Sequence, residues 1–580
     1  MDLNSTNATS HNDKLSISSQ KGFMLTGTCQ IESSYPSVLI AMLGNQVVGL
    51  SMLSSSGFSQ SADKVKDVRF TLELEMQTII EHVDEHVSFV LVNHFHKDLT
   101  RISCADLILN SVGGYEEILK RAPSYGFIGG GKYEPLTLEV NKAVKSLKMT
   151  IAQEKAFFNI RDLCIVGGNG QRIAIDHNVS LNCSSSHNDD LTSTNVMQAK
   201  GFHSKLEDYP WLRIEFEEPQ FITRIEICNR ADAYGKRTRN LEVEIEDVDQ
   251  QTSQLYSSSS KKSYARFYSR IMQYGGAEIL FNCSAEDFRE KFLVKLIDLL
   301  SHKEDDGGNS LPHFALNFLS IWAEEAPSAS LHKLEIEVLA LYTYHMTKSK
   351  LGFVLVPFSK ILSTRRDLDL YELLVNKHRV TNNRKEIQLT KHGISHKGIL
   401  NQNIPKALRT ISIVINDFEA MGFRPCIAYG TLLGARRDQA FIAHDDDVDI
   451  LIEYPQDNLD HQQVFALTEK LLQELDPEKY RTDLEQRSGT NLNMHILVRE
   501  TNMVIDIFPY WNAQGKSFLH MEKMKVRGIP ENILADRKML KLYDTEFPAP
   551  IETEAFLLER YGEGWSISDK YHEWPWQLKD

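Results

Sequence analysis

Residues 445–452 read Asp-Asp-Asp-Val-Asp-Ile-Leu-Ile, four carboxylates within five residues running straight into an apolar triplet. The triplet is β-prone and predicts a strand with an acidic head. Side chains alternate along a strand, so Asp445, Asp447 and Asp449 are expected on one face and Asp446 and Val448 on the other. Three like charges on one face repel. A divalent cation among them resolves the conflict, and oxygen-only ligands favour Mg2+ or Mn2+. A calcium loop of the EF-hand kind does not fit. With Asp445 as its first position, Ile450 stands where Gly is needed and Gln456 where Glu is needed. The plain alternative is an exposed acidic turn, and the flanking residues weigh against it.

Upstream, Tyr429-Gly430-Thr431 opens a turn into a short helix, and Gly434 lets that turn pack tightly. The free N–H groups of a helix start suit phosphate oxygens. Arg436 and Arg437 follow, and one of them is placed to meet a phosphate bidentately; a solvated helix face is the alternative. Downstream, Asp506 interrupts the apolar run Met503–Tyr510. A carboxylate inside an apolar strand is costly unless paired or metal-bound. His444 and His495 are single histidines with no second ligand at metal spacing, and neither is expected to bind the cation.

Taken together, YGTLLGARRDQAFIAHDDDVDILIEY at 429–454 resembles the polymerase-β-like nucleotidyltransferase superfamily and, more narrowly, the LicD and fukutin family. The chain keeps the family's run from Gly430 to Ala435, Arg437, Phe441-Ile442, the three aspartates, Asp449 and Ile450. It departs at Ala440, Ala443 and His444, where the family usually has Gly, Pro and Trp. The "DIFP" element at Asp506–Pro509 and the "YGxxW" element at Tyr561–Trp565 extend the likeness to about 180 residues. The resemblance implies a mixed sheet flanked by helices. It implies catalytic roles for Asp447, Asp449 and Asp506, and a metal set of Asp445, Asp447, Asp449 and Asp506. It implies donor contacts from Tyr429, Gly430, Thr431, Gly434 and Arg437. The implied reaction moves phosphocholine, ribitol phosphate or glycerol phosphate from a CDP-activated alcohol to a glycan hydroxyl. Two other functions stay open: nucleotidyl transfer from a nucleoside triphosphate, and carbohydrate binding with an inactive enzyme domain.

The rest of the 580 residues sets the context. With 42% apolar and 25% charged residues the chain is an ordinary globular one. Its net charge of -15 argues against a nucleic-acid partner. Seven cysteines, widely spaced and without a CxxC pair, argue against a disulfide framework or a zinc site. No basic-then-apolar leader and no stretch of 18 apolar residues is present, so a cytoplasmic protein is expected, with peripheral contact to the inner face of a membrane left open.

The expected fold is multidomain α+β. Residues 1–20 read as a disordered tail. Residues 21–145 read as a β-sandwich, with a hairpin in SVLIAMLGNQVVGLSML and a far edge at Gly129-Gly130-Gly131. Residues 146–255 alternate like antiparallel strands. Within them His203, Glu207, Pro210-Trp211, Asn229, Arg230, Asp232 and Arg239-Asn240-Leu241 resemble the discoidin, or coagulation-factor type C, sandwich. That resemblance implies a module that binds carbohydrate or only docks. Residues 256–400 read as a Ser- and Lys-rich linker followed by helices. Residues 401–580 form the nucleotidyltransferase-fold unit, entered by an amphipathic helix carrying Leu408, Ile411, Val414, Ile415 and Phe418 on one stripe and stopped by Gly422.

Overall fold

The computed structural model describes the chain apart from residues 1–14, 33–36, 54–64, 93–95, 113–134, 175–178, 187–200, 231, 277–279, 281–284, 304–309, 324–328, 347–354, 391–392, 397, 399, 446, 483–491, 523–524 and 580. The Gly129–Gly131 edge and Asp446 lie outside the described residues. Two compact units emerge: Met1–Met346 with Pro357–Leu362, and Thr347–Val356 with Ser363–Asp580.

The first unit begins strand-rich. Leu15–Lys21, Met24–Glu32 and Val65–Glu73 form a three-stranded antiparallel sheet. Ser37–Leu43, Gln46–Leu53, His86–Val92 and His96–Ser103 form a four-stranded one. The expected hairpin is there, turning at Gly44-Asn45 with Gly44 at φ +55. Strand pairing begins at Leu15, inside the tail expected for 1–20, because Leu15 and Ile17 pair with Cys29 and Gly27 across the strand.

A six-stranded sheet follows, built on two long strands, Leu136–Ile151 and Trp211–Cys228. The first crosses the expected boundary at 145/146. Its residues from Leu136 onward already pair with Trp211–Cys228, so they belong to the second sheet. The expected linker is also structured. Residues up to Ser257 finish a strand, and Ser260 caps the helix Lys261–Gly275 by accepting from the Ser263 N–H. The serines there serve as caps rather than as flexible spacer. Helices Ala285–Ser301, Ser310–Trp322 and Ala329–Met346 complete the unit. The six described cysteines form no disulfide. Among the described residues no helix is long and apolar enough to cross a membrane.

The continuous part of the second unit runs from Ser363 to Asp580. Its elements are α1 (Arg365–Thr381), the hairpin β1 (Ile387–Thr390) and β2 (Gly393–His396), and α2 (Ile404–Ala420). Then come β3 (Cys426–Ile427), α3 (Tyr429–Arg437), β4 (Asp449–Glu453) and α4 (His461–Glu474). Next are β5 (Tyr480–Thr482), β6 (Met494–Val498), β7 (Met503–Ala513), β8 (Lys516–Glu522) and β9 (Lys525–Pro530). The hairpin β10 (Arg537–Leu542) and β11 (Thr545–Pro550), and α5 (Thr553–Tyr561), finish it. The main sheet has the order β3-β4-β7-β6-β5, with β8 paired to β7 and β9 paired to β8. Among the described residues of this sheet β4 and β7 pair in parallel; β3-β4, β6-β7 and β5-β6 are antiparallel.

Helix α2 explains how this sheet is covered. Asn403 accepts from the Lys406 N–H at its start, and Gly422, at φ +91, turns the chain away at its end. Ile411, Val414, Ile415 and Phe418 are buried in the same core as Ile450, Ile452, Ile505 and Ile507 of β4 and β7, with Leu408 partly buried beside them. Each such side chain contributes about 1.5–3 kcal/mol of burial. The two parallel strands are thereby fixed, and Asp449, the first residue of β4, stands beside Asp506, the fourth residue of β7.

Candidate functional site

Asp449 opens β4 and Asp506 sits on β7 as its register partner. Asp447 arrives from the turn before β4. One carboxylate oxygen of each of the three lies within 4.8 Å of the others. A cation with oxygen ligands at about 2.1 Å separates neighbouring ligands by roughly 3–4 Å, so a small closure of these side chains encloses one. The donor set is all oxygen, the chemistry of Mg2+ and Mn2+.

Asp449 is only 3% exposed. Burying a carboxylate costs several kcal/mol unless hydrogen bonds and charges compensate. The turn into α3 supplies that compensation. Gly430 N–H donates to Asp449 Oδ2 at 3.1 Å, and Thr431 Oγ1 accepts from Asp449 N–H at 3.0 Å. Ala428 N–H donates to the Asp449 carbonyl at 3.1 Å. Gly430 thus holds the carboxylate of Asp449, and Thr431 holds its backbone.

Asp506 is anchored at both ends. Its N–H donates to the Val448 carbonyl at 2.9 Å. Its carboxylate shares a 2.8 Å hydrogen bond with His495 Nδ1, and His495 stands opposite it on β6. Asn493 Nδ2 lies 3.4 Å from the other ring nitrogen. Sequence spacing gave no reason to join His495 to Asp506; the antiparallel register of β6 and β7 does. Such a partner orients a metal-binding carboxylate.

The other expected site residues fall in several places. Asp445 precedes the strand instead of lying on it, and it is not in the three-carboxylate group. The strand begins only at Asp449, so the predicted alternation from Asp445 does not apply. A Cβ on Gly430 would meet Asp445 Oδ2 at 2.4 Å, so that glycine leaves room for the Asp445 carboxylate. Tyr429 is buried: its hydroxyl donates to the His520 carbonyl, and its ring meets Phe508 edge-on at 4.9 Å. Its side chain braces the core and is not presented to a donor. Gly434 packs against the following loop, where a Cβ would stand 2.4 Å from the Ala440 carbonyl oxygen. Arg437 is 14% exposed and bridges Asp438 at 3.0 Å, while Arg436 reaches Glu554 on the surface. His444 is held below the usual imidazole range by burial, with Lys570 and Arg437 adding positive charge and Asp569 opposing them.

In the first unit a second polar cluster gathers where the short strand pair Asn159–Ile160 and Phe202–His203 meets the 3-10 helix Ala233–Thr238. Arg237 lies over Phe157 at 4.3 Å and over Tyr234 at 4.6 Å. Its Nη1 donates to Asn159 Oδ1 at 2.7 Å and lies 3.1 Å from His203 Nε2. Arg230 grips Asp232 bidentately and lies over Tyr234 at 5.4 Å. Burial, with Arg230 beside it, lowers the Arg237 pKa. Arg237 was missed from sequence, although it stands five residues after Asp232.

The mixed sheet thus brings three carboxylates together across one parallel strand pair, as a group that could hold a metal ion. Residues 422–552 match the family model of the LicD/FKTN/FKRP nucleotidyltransferase domain. Residues 174–273 match the NedA-like, galactose-binding domain of the F5/F8 type C group. No curated protein matches the chain. The C-terminal unit therefore carries a LicD domain, which supports a phosphotransferase-type enzyme, and a discoidin-like domain of a carbohydrate-binding type lies upstream.

Proposed function

We propose that the C-terminal unit moves a phospho-alcohol group, phosphocholine, ribitol phosphate or glycerol phosphate, from a CDP-activated alcohol to a glycan hydroxyl in cell-surface polysaccharide synthesis. The observation that carries this reading is the convergence of Asp447, Asp449 and Asp506 within a LicD domain. These three would hold Mg2+ or Mn2+. When bound, such a cation neutralises charge on the diphosphate and on the departing nucleotide.

The chain's own residues do the rest. Gly430 fixes the Asp449 carboxylate and Thr431 fixes its backbone. His495 keeps Asp506 oriented. In the transfer, the acceptor oxygen bonds to the distal phosphorus, the bond from that phosphorus to the bridging oxygen breaks, and cytidine monophosphate leaves. Asp506 either completes the metal set or takes the acceptor's hydroxyl proton. Arg437 is the nearest cation by sequence to the acidic turn and is assigned to the donor diphosphate. The strand-rich segment upstream would hold the glycan, with Arg237, His203 and the faces of Phe157 and Tyr234 as its contact surface; sugars pair polar edges with aromatic faces in this way. We assign the reaction to the cytoplasmic side, at a membrane surface.

The description of the matched domain as a nucleotidyltransferase favours one other reading, transfer of a nucleoside monophosphate from a triphosphate. Products separate the two. Purified protein with Mg2+ is offered a panel of CDP-alcohols and nucleoside triphosphates. Cytidine monophosphate release that Asp447→Ala abolishes supports phospho-alcohol transfer and names the alcohol. Pyrophosphate release, with every CDP-alcohol intact, overturns it.

A further inference from the structure

The LicD match stops at residue 552, yet the chain beyond it reaches the turn that holds Asp449. Arg560 stands near the end of α5 with its side chain 11% exposed. Its Nη1 and Nη2 donate to Glu573 Oε1 and Oε2 at 2.6 and 2.7 Å, a two-pronged pair. The same guanidinium lies over the ring of Tyr561 at 4.8 Å and over that of Tyr429 at 5.8 Å.

Both ends of this contact have unusual backbones. Tyr429 has φ +42 and Glu573 has φ +59, the left-handed region that residues with a Cβ avoid. Such conformations persist only where the surroundings over-determine them, and they gather at functional sites. Around Tyr429 the surroundings are Phe508 at 4.9 Å, Phe556 at 5.8 Å, the His520 carbonyl on its hydroxyl, and Arg560. The next residue, Gly430, gives its N–H to Asp449 Oδ2. Any rotation of the peptide after Tyr429 moves that N–H directly.

We infer that Arg560 and Glu573 form a positioning pair: they hold Tyr429 in the conformation from which Gly430 presents its N–H to Asp449, and so they set the geometry of the carboxylate cluster from outside the matched domain. This rests on reading Asp447, Asp449 and Asp506 as a metal site. A buried ion pair is weak evidence of a stabilising role, since an apolar pair of equal volume often serves as well. A planar fork that pairs and stacks at once is a geometric device, and lysine does not reproduce it.

The test uses the full chain and its Arg560→Met, Arg560→Lys, Glu573→Gln and Arg560→Met/Glu573→Gln variants. Arg527→Met serves as control, because Arg527 pairs with the side chain and carbonyl of Glu559 on the same helix. Mn2+ affinity is read by electron paramagnetic resonance, and amide exchange is read over residues 428–436. The pair predicts Mn2+ binding about tenfold weaker in Arg560→Met and in Glu573→Gln. The double variant should be no worse than either single, because they act as a unit. Arg560→Lys should fail to rescue, Arg527→Met should match the wild type, and exchange at 428–436 should quicken about tenfold in the Arg560 and Glu573 variants. Unchanged exchange in folded Arg560→Met or Glu573→Gln overturns the inference, as do additive losses in the double variant. If the wild-type chain binds no Mn2+, the metal reading falls, and the exchange measurement still decides the positioning pair. If Arg560→Met does not fold, Glu573→Gln, which keeps the side chain's shape, decides alone.

Discussion

Asp449 and Asp506 are register partners on neighbouring parallel strands, and Asp506 N–H donates to the carbonyl of Val448, the residue just before Asp449. Parallel pairing is what places two carboxylates from distant parts of the chain side by side on adjacent strands. Removing either should therefore empty the cluster of a ligand without unfolding the sheet. Asp449→Asn and Asp506→Asn are expected to reduce turnover about 10²–10³-fold, the scale of losing a principal electrostatic group in a site. The melting temperature should change by only a few degrees, since asparagine keeps the volume of each side chain. Calorimetry for stability and a product assay check both halves. A variant with near-normal turnover would remove that residue from the site.

His495 touches the cluster at one remove. Its ring nitrogen shares a 2.8 Å hydrogen bond with Asp506. Outer partners of this kind are commonly worth 10–100-fold in metal affinity or activity. His495→Ala should weaken activation by Mg2+ about tenfold and leave KM for the donor unchanged. His495→Asn, which keeps a hydrogen-bonding group at the same register position, should recover part of the loss. Mg2+ titration of initial rates reads this out, and a unchanged Mg2+ dependence in His495→Ala would dismiss the role.

Much of this was legible in the chain itself. The strand after the acidic run, the helix α2 with its Gly422 stop, the acidic cluster and Asp506 all follow from local pattern. What local pattern could not supply was register. The alternation rule failed at Asp445 because β4 begins four residues later, at Asp449. His495 looked isolated because its partner is eleven residues on, across a hairpin. Tyr429 looked like a donor contact because it adjoins the Gly-Thr turn, but a left-handed backbone sends its side chain into the core. The serines at 257–260 looked like spacer because capping and linker chemistry draw on the same residue types.

Gly434 offers a test of the loop that carries the acidic run. A Cβ there would stand 2.4 Å from the Ala440 carbonyl and 3.1 Å from the Ile442 nitrogen, both backbone atoms that have little room to yield. Gly434→Ala should cost about 1–3 kcal/mol of stability. It should also lower activity beyond what stability explains, because the displaced segment leads directly to Asp445 and Asp447. Urea unfolding followed alongside activity separates the two effects. Wild-type stability in the variant would show that the loop has slack.

Arg237 gives the upstream module its own test. Arg237→Ala removes a cation lying over two rings and the group beside His203 Nε2. On a glycan array, binding is expected to fall at least tenfold, the loss of about 1.4 kcal/mol. Turnover on a small soluble acceptor should be unaffected. Unchanged array binding would return the cluster to the role of a brace.

His520 predicts how the second unit responds to acid. It is 6% exposed, and its Nδ1 makes no hydrogen bond among the described residues. Burial, with His461 adding a minor contribution, lowers its pKa from 6.5 to about 4. The folded-state value lies below the unfolded one, so the unfolded chain takes up the proton first. Stability from this residue is then fully present above pH 6.5, is lost progressively as pH falls from about 6.5 to about 4, and changes no further below that. The full loss is ~3 kcal/mol. His520→Met keeps an apolar filling and has no proton to gain, so its stability curve should be flatter across that window. Urea midpoints measured between pH 7 and pH 4 decide it. Parallel curves for the two proteins would mean that the acid sensitivity arises elsewhere.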